Sequence, residues 1–157
     1  MQSKKDYAPI SQKLNIILAE DDLDDRLLFE EAIEELPVSV QLYTFNNGEE
    51  LMEWLIKKNN KLPDVLFLDL NMPRKNGFAT LADIKRNKKL QDMPVIIFST
   101  TTNNEMIKQV FKNAAHYYIR KPVHFVELKQ LIYKSLKLIA DKDISLPGKD
   151  NFMLTTD

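Results

Sequence analysis

Five polar residues of this chain stand where apolar, strand-like runs end. Glu20 and Asp21 follow the first such run, Asp69 ends the third, Ser99 ends the fourth and Lys121 follows the fifth. Taken singly, each has an ordinary explanation, because acidic residues often cap helices and hydroxyl residues often form turns. An acid pair, an acid, a hydroxyl and a lysine at successive strand ends form a joint pattern that indicates a functional site.

The acidic members of this set predict a metal-assisted reaction. Carboxylates held close together repel one another, and a hard divalent cation relieves that repulsion. No histidine or cysteine belongs to the set, so its oxygen ligands favour Mg2+, with Mn2+ as an alternative. Phosphoryl transfer needs an in-line nucleophile and positive charge around the transferred group. We therefore expect Asp69 to attack, magnesium and Lys121 to neutralise, and Ser99 to donate a hydrogen bond to a phosphoryl oxygen.

Composition limits the other function classes. The 157 residues, 44% hydrophobic and 29% charged, suit one globular domain with short tails. With 22 Lys and Arg against 23 Asp and Glu, the net charge gives no general attraction to nucleic acid or to anionic membranes. The lack of cysteine excludes disulfides and fits a reducing compartment. Residues 1–13 contain no apolar segment, so neither a signal peptide nor a membrane anchor is expected, and a cytoplasmic location is the default.

Apolar runs alternate with stretches of helical periodicity, which predicts an α/β domain with a parallel sheet. The strands are expected at Leu14 to Ala19, Val38 to Phe45, Val65 to Asp69, Val95 to Ser99 and Tyr117 to Arg120. The helices are expected at Asp22 to Leu36, Glu49 to Lys58, Gly77 to Asn87, Asn104 to Ala115 and Phe125 to Ala140. The domain should span 14–140, between tails at 1–13 and 141–157. Because parallel strands joined by right-handed crossovers end at one edge, where ligands bind, the five polar residues should meet there.

The ordered motifs resemble the receiver domains of two-component response regulators. The acidic pair of that family falls on Glu20 and Asp21, its phosphorylated aspartate on Asp69 within Asp-Leu-Asn-Met-Pro, its hydroxyl residue on Ser99, and its Lys-Pro pair on Lys121 and the proline that follows. The resemblance covers roughly residues 15–140. It implies a flavodoxin-like (CheY-like) fold, with three α/β/α layers around a doubly wound five-stranded parallel sheet of order 2-1-3-4-5.

The resemblance also implies a role for each residue of the metal site. Asp21, Asp69 and the backbone carbonyl of Asn71 look like direct magnesium ligands, with Glu20 bound through water and Lys121 contacting the phosphoryl group. The peptide bond after Lys121 is expected to be cis. Such a domain is a phosphoacceptor rather than an enzyme in the usual sense, although it supports its own phosphorylation and slow self-dephosphorylation.

Signalling in such domains depends on a two-residue switch. The hydroxyl residue, here Ser99, moves toward the phosphoryl group, and an aromatic residue of the fifth strand turns inward. Tyr118 is the expected aromatic residue, with Tyr117 as the competitor. The phosphoryl donor would be phosphohistidine of a sensor histidine kinase or a histidine phosphotransfer protein. A downstream protein would bind the face of the fourth helix, fifth strand and fifth helix, and a phosphorylation-dependent homodimer is left open.

Two features depart from the usual pattern of that family. Glu20 replaces the commoner aspartate, which keeps the charge and lengthens the reach. Residues 113–116, Asn-Ala-Ala-His, lack a glycine usually found before the fifth strand, so we expect that loop to be shaped differently. The only histidines, His116 and His124, lie at element boundaries, where structural roles are expected.

Three alternatives share part of this pattern. A phosphatase of the haloacid dehalogenase type needs a second carboxylate two residues after its nucleophile, and here that residue is Asn71. A nucleotide or flavin module would want a Gly-rich or hydroxyl-rich loop after the first strand, where Glu20, Asp21 and Asp22 would repel phosphate. A degenerate receiver would act only as a constitutive interaction module, but every residue of the acceptor site is retained.

Overall fold

The computed structural model describes residues 4–57, 61–143 and 145–156. The predicted end of the second helix at Lys58 lies outside these residues. The first three residues of the predicted N-terminal tail and residues 144 and 157 of the C-terminal tail lie outside them as well. None of the described helices is both long enough and apolar enough to cross a membrane.

Five strands and five α-helices alternate along the described residues. The strands are β1 (Ile10–Ala19), β2 (Val38–Phe45), β3 (Val65–Leu68), β4 (Val95–Ser99) and β5 (Tyr117–Arg120). The helices are α1 (Leu23–Glu34), α2 (Gly48–Leu55), α3 (Gly77–Arg86), α4 (Asn104–Lys112) and α5 (Phe125–Ala140). Short 3-10 turns occur at Lys4–Asp6 and Lys149–Asn151.

The strands form one parallel sheet in the order β2-β1-β3-β4-β5. This order confirms the predicted doubly wound, three-layer α/β/α fold. Apolar side chains on the two faces of the sheet form two clusters, one packed with α1 and α5 and the other with α2, α3 and α4. β3 and β4 are buried along their whole length, as helices on both faces require. A polar site can therefore form only at the ends of the strands.

Side-chain caps start four of the helices at the carboxyl edge of the sheet. Asp22, Asn47, Asn76 and Asn103 each accept a hydrogen bond from a backbone N–H in the first turn of the following helix. These caps lie in the loops after β1, β2, β3 and β4. They hold those loops in defined paths, which positions the residues that come directly after each strand.

Two expectations about the backbone are corrected. β1 begins at Ile10 rather than at Leu14, because the segment before Leu14 also pairs with β2, across a register shift. Its polar residues at 11–13 are exposed, so their sequence did not indicate a strand. The described residues contain no cis peptide bond, so the expected cis bond between Lys121 and Pro122 is wrong. The trans form is the commoner one even before proline.

The loop between α4 and β5 contains a left-handed residue that is not glycine. α4 ends at Lys112 rather than at Ala115 as predicted, and Ala114 has φ 63°. The N–H of Ala115 donates to the carbonyl of Val110 at 3.1 Å, which satisfies one of the last carbonyls of the helix. An L-residue in this conformation costs about 1–2 kcal/mol. The loop therefore keeps, with alanine, a backbone that glycine would adopt more easily.

Ala114→Gly is expected to raise the free energy of unfolding by up to about 1 kcal/mol. Glycine removes the Cβ penalty of the left-handed conformation and returns only about 0.5–1 kcal/mol as lost chain entropy. Ala82 of α3 provides the control, because Ala82→Gly in the interior of a helix should lower the free energy of unfolding by about 1 kcal/mol. Urea denaturation measures both changes. Equal destabilisation by the two substitutions would contradict strain at Ala114.

Candidate functional site

Hydrogen bonds between the strand ends fix the two buried carboxylates of the site. The N–H of Glu20 donates to the carbonyl of Phe45 at 2.9 Å, and the N–H of Asp69 donates to the carbonyl of Ala19 at 3.0 Å. These bonds continue the pairing of the sheet one residue beyond β1 and β3. Glu20 and Asp69 are thereby held side by side at the carboxyl edge, with little backbone freedom.

The structure brings together the three carboxylates that the sequence singled out. Oxygen atoms of Glu20, Asp21 and Asp69 lie within 4.8 Å of one another. Glu20 is 1% exposed and Asp69 is 4% exposed, whereas Asp21 is open to solvent. A set of clustered carboxylates with one open side suits a hard divalent cation that enters from solvent.

The protonation of these groups shows the electrostatic cost of the arrangement. Burial raises the pKa of Glu20 to about 7, and the negative charge of Asp69 acts in the same direction while Lys121 opposes it. Burial also raises the pKa of Asp69, although the charge of Lys121 works against this. A cation bound between the carboxylates would favour their ionised forms. The chemistry of the residues therefore fits a metal ion.

Lys121 reaches into the acidic cluster and contacts three carboxylates. Its Nζ lies 2.5 Å from Glu20, 2.9 Å from Asp25 and 3.6 Å from Asp69. The backbone N–H of Lys121 donates to the carbonyl of Ser99 at 2.9 Å, which joins the loop after β5 to the end of β4. Burial disfavours the charged amine, but its hydrogen bonds and the neighbouring negative charges raise the pKa of Lys121. The amine is thus charged, and it lies nearer to Glu20 than to Asp69.

Asp25 is a contact of this site that the sequence interpretation missed. Its carboxylate binds Lys121, and its N–H donates to the capping oxygen of Asp22 at 2.9 Å. The sequence pattern singled out Glu20 and Asp21 and gave no role to Asp25. No local pattern marks this contact, because Lys121 lies 96 positions further along the chain.

Gly77 permits the close approach of α3 to the loop that carries the acceptor candidate. A Cβ at this position would lie 2.2 Å from the carbonyl oxygen of Asp69 and 2.8 Å from Cα of Leu70. The N–H of Gly77 donates to the carbonyl of Leu70 at 3.0 Å. In the same loop, the N–H of Asn71 approaches an Asp69 carboxylate oxygen at 3.4 Å. The backbone around Asp69 is therefore held from both sides.

Ser99 and Tyr118 both contact the backbone of Thr101. Ser99 is fully buried at the end of β4, and its Oγ accepts from the N–H of Thr101 at 3.3 Å. Tyr118 is also fully buried, and its hydroxyl donates to the carbonyl of Thr101 at 3.0 Å. Tyr117 is only half-buried and packs on the opposite face of the sheet. Of the two tyrosines, Tyr118 is therefore the one that meets the loop after β4.

The histidines take no part in the acidic cluster. His116 is buried, and its Nδ1 accepts from the N–H of Val95 at 3.2 Å. Burial lowers the pKa of His116 to about 4, so the ring is neutral and helps to join the residue before β5 to the start of β4. His124 is exposed and stands directly before α5.

Comparison with known proteins finds similarity to one family in both sequence and structure. The family model described as response regulator receiver domain matches residues 16–133. The response regulator Rcp1 of Synechocystis is 27% identical over 121 residues, which are 74% of this chain and 82% of that protein. Its Mn(2+)-bound crystal structure superimposes with a TM-score of 0.73 at 25% identity, over 86% of this chain and 99% of that one. The phosphorylated cyanobacterial phytochrome response regulator RcpA superimposes with a TM-score of 0.74 at 31% identity, over 87% of this chain and all of that one.

Gly77→Ala is expected to destabilise the protein by about 1–3 kcal/mol, because the new methyl group would overlap backbone atoms beside Asp69 that cannot move independently. Gly148→Ala is the matched control, since a Cβ at Gly148 meets nothing within 4 Å and should leave stability unchanged or slightly raised. Thermal and urea unfolding measure both effects. If Gly77→Ala were as stable as Gly148→Ala, the close approach of α3 to the Asp69 loop would be wrong.

Proposed function

The chain belongs to the family of response regulator receiver domains, and on that premise we propose that Asp69 accepts a phosphoryl group from phosphohistidine. The donor would be a sensor histidine kinase or a histidine phosphotransfer protein. The observation that carries the proposal is the meeting of Asp69 with Glu20, Asp21 and Lys121 at one edge of the sheet. The family fits phosphorylation-dependent signalling in two-component systems.

We propose Mg2+ as the metal of this site, with Mn2+ as the alternative. Asp21, Asp69 and the Asn71 carbonyl would be direct ligands, and Glu20 would bind through a water molecule. The Mn(2+)-bound form of Rcp1 supports a divalent cation in such a domain. When bound, the cation would screen the negative charge of the incoming phosphoryl group.

The transfer step uses the side chains in distinct roles. A carboxylate oxygen of Asp69 attacks phosphorus, the phosphorus–nitrogen bond of phosphohistidine breaks, and its electron pair stays on the imidazole nitrogen. The Lys121 amine then contacts the new phosphoryl oxygens in place of some of its contacts with Glu20 and Asp25. Ser99 donates a hydrogen bond to one of these oxygens, since its hydroxyl proton is not used by the contact with Thr101.

Dephosphorylation would follow by attack of water on the same phosphorus. Asn71 and Thr101 are the residues two positions after the acceptor and after the hydroxyl residue, and we propose that they set the access of that water. Asn71 is exposed and Thr101 is half-buried, so neither closes the site completely. Slow self-dephosphorylation is the expected behaviour, and the protein is a phosphoacceptor rather than an enzyme acting on a separate substrate.

Ser99 and Tyr118 would transmit the effect of phosphorylation to the surface of the domain. A new dianion at Asp69 favours the Ser99 position nearest to it, and Tyr118 follows because both residues bond to Thr101. The downstream protein would bind the surface that α4, β5 and α5 form together, called the α4–β5–α5 face here. We propose a cytoplasmic location, with neither nucleic acid nor membrane as a partner, and leave a phosphorylation-dependent homodimer open.

Incubation with acetyl phosphate and magnesium is expected to add one phosphoryl group to the wild-type protein and none to Asp69→Asn. The substitution keeps the size of the side chain and removes the nucleophilic carboxylate. Intact mass spectrometry reads the result directly. Asp64→Asn is a control, because this half-buried carboxylate binds the N–H of Asn15 outside the acidic cluster. Equal labelling of wild type and Asp69→Asn would remove Asp69 from its proposed role.

Asp25→Asn is expected to strengthen the binding of beryllofluoride, a phosphoryl mimic, by up to about fivefold at saturating magnesium. Asp25 competes for Lys121, and a partly exposed ion pair of this kind contributes about 0.2–1 kcal/mol. Asp24→Asn is the matched control, because it removes the same charge from the same turn of α1 at an exposed position. Titration followed by fluorine NMR compares the two. Weaker binding by Asp25→Asn than by Asp24→Asn would indicate that Asp25 positions Lys121 instead of restraining it.

A further inference from the structure

The segment after α5 covers the outer edge of β5. Residues 148–156, called the tail segment here, include a 3-10 turn and then run parallel to β5, with Met153 opposite Tyr118. The N–H of Tyr118 donates to the carbonyl of Phe152 at 3.0 Å, and the N–H of Leu154 donates to the carbonyl of Tyr118 at 2.9 Å. The tail segment therefore extends the parallel sheet by one short pairing, and the residue it pairs with is Tyr118.

Two side chains anchor the tail segment in the apolar clusters on the two faces of the sheet. Phe152 ends the 3-10 turn with helical backbone angles, φ −64° and ψ −43°, so the side-chain alternation of a strand does not extend through it to Leu154. Phe152 is 3% exposed and belongs to the apolar cluster of α2, α3 and α4. Leu154 is 7% exposed and belongs to the cluster of α1 and α5. The ring of Phe152 packs edge-on against Phe111 at 5.1 Å and against Tyr118 at 6.2 Å. These contacts place the tail segment across the α4–β5–α5 face.

Tyr118 joins the tail segment to the end of β4. One side of its ring meets Phe152, and its hydroxyl donates to the carbonyl of Thr101, whose N–H donates to Ser99. A shift of Ser99 toward Asp69 therefore changes the support under the Tyr118 hydroxyl. Loss of Phe152 would open the other side of the ring to solvent. Changes at Ser99 and changes at Phe152 therefore both act on the Tyr118 side chain.

The tail segment has few anchors on the rest of the domain. Its anchors are two buried side chains, two backbone hydrogen bonds to β5, and a bond from the exposed Lys134 amine to the Thr155 carbonyl at 2.8 Å. Against these stands the loss of backbone freedom in nine residues. A cavity of about 300 Å³ remains between the tail segment and α4, lined by Ile107 and Phe111 among others. Attachment of this kind responds to small changes in the position of Tyr118.

We propose that the tail segment is an intramolecular ligand of the α4–β5–α5 face, and that its attachment is coupled to phosphoryl binding at Asp69 through Tyr118. The coupling rests on the proposed function of Asp69. Because coupling between two sites is reciprocal, a phosphoryl group that favours the inward Tyr118 tightens the tail segment, and the attached tail segment strengthens phosphoryl binding. A downstream protein that uses this face must then either accept the covered surface or displace the chain's own segment from it.

The test compares Phe152→Ala with Leu146→Ala in the full chain. Leu146 is 56% exposed and precedes the tail segment, so its substitution changes apolar content without touching β5. Beryllofluoride with magnesium is titrated against each protein by fluorine NMR. Phe152→Ala is expected to bind about fivefold more weakly or worse than wild type, while Leu146→Ala stays within about twofold. In wild type, saturation with beryllofluoride is expected to slow hydrogen exchange of the Leu154 amide.

Each outcome decides between the two proposals. A wild-type protein that does not bind beryllofluoride contradicts the proposed function and the coupling together. Normal binding by Phe152→Ala, or unchanged exchange at Leu154 on saturation, contradicts the coupling alone. Exchange protection at Leu154 that rises with protein concentration means that the segment docks on a second copy, which overturns the intramolecular contact. The exchange measurement uses wild type only, so it decides the matter even if Phe152→Ala does not fold.

Discussion

The site depends on burying negative charge beside one buried ammonium group. Glu20 and Asp69 are almost fully inaccessible, and Lys121 lies between them and Asp25. Burying an isolated charge is very unfavourable, so such groups persist only when they are paired and hydrogen-bonded. The pairing requires the ends of β1, β3 and β5 to lie within the reach of one lysine side chain. In the strand order 2-1-3-4-5, β1 and β3 are neighbours. The backbone of Lys121 is hydrogen-bonded to the end of β4, from where its amine reaches Glu20 and Asp69.

Lys121 does not balance the charge of this edge by itself. Glu20, Asp21 and Asp69 carry three carboxylates against one amine, and burial raises the pKa values of Glu20 and Asp69. A divalent cation would bring the balance close to neutral, and a phosphoryl dianion would then enter without facing a net negative surface. The same imbalance explains why the nucleotide-binding alternative fails at this edge, since phosphate could approach it only behind a cation.

The fold and the main site contacts followed from the sequence because each has a local signal. β2, β4, β5 and α5 have the predicted bounds, since an apolar run or a helical stripe is bounded by proline or polar residues in each case. The misses share a different cause. In β1, Ile10 is followed by exposed polar residues 11–13 at a register shift, and Asp25 lies outside the strand-end pattern that marks the other site residues. The contact between Asp25 and Lys121 joins residues 96 positions apart, and no local pattern encodes it.

The packing of the tail segment follows from the same topology that builds the site. In a parallel sheet each helix returns the chain to the amino end of the strands, so whatever follows α5 starts where a further parallel strand would start. β5 is the last strand of the sheet and would otherwise present an open edge, which proteins tend to cover. Phe152 at the end of the 3-10 turn and Leu154 in the paired stretch beyond it cover that edge on both faces. The residue at the centre of this contact is Tyr118. The tail segment that covers the edge therefore contacts the same residue that would transmit phosphorylation of Asp69 to the α4–β5–α5 face.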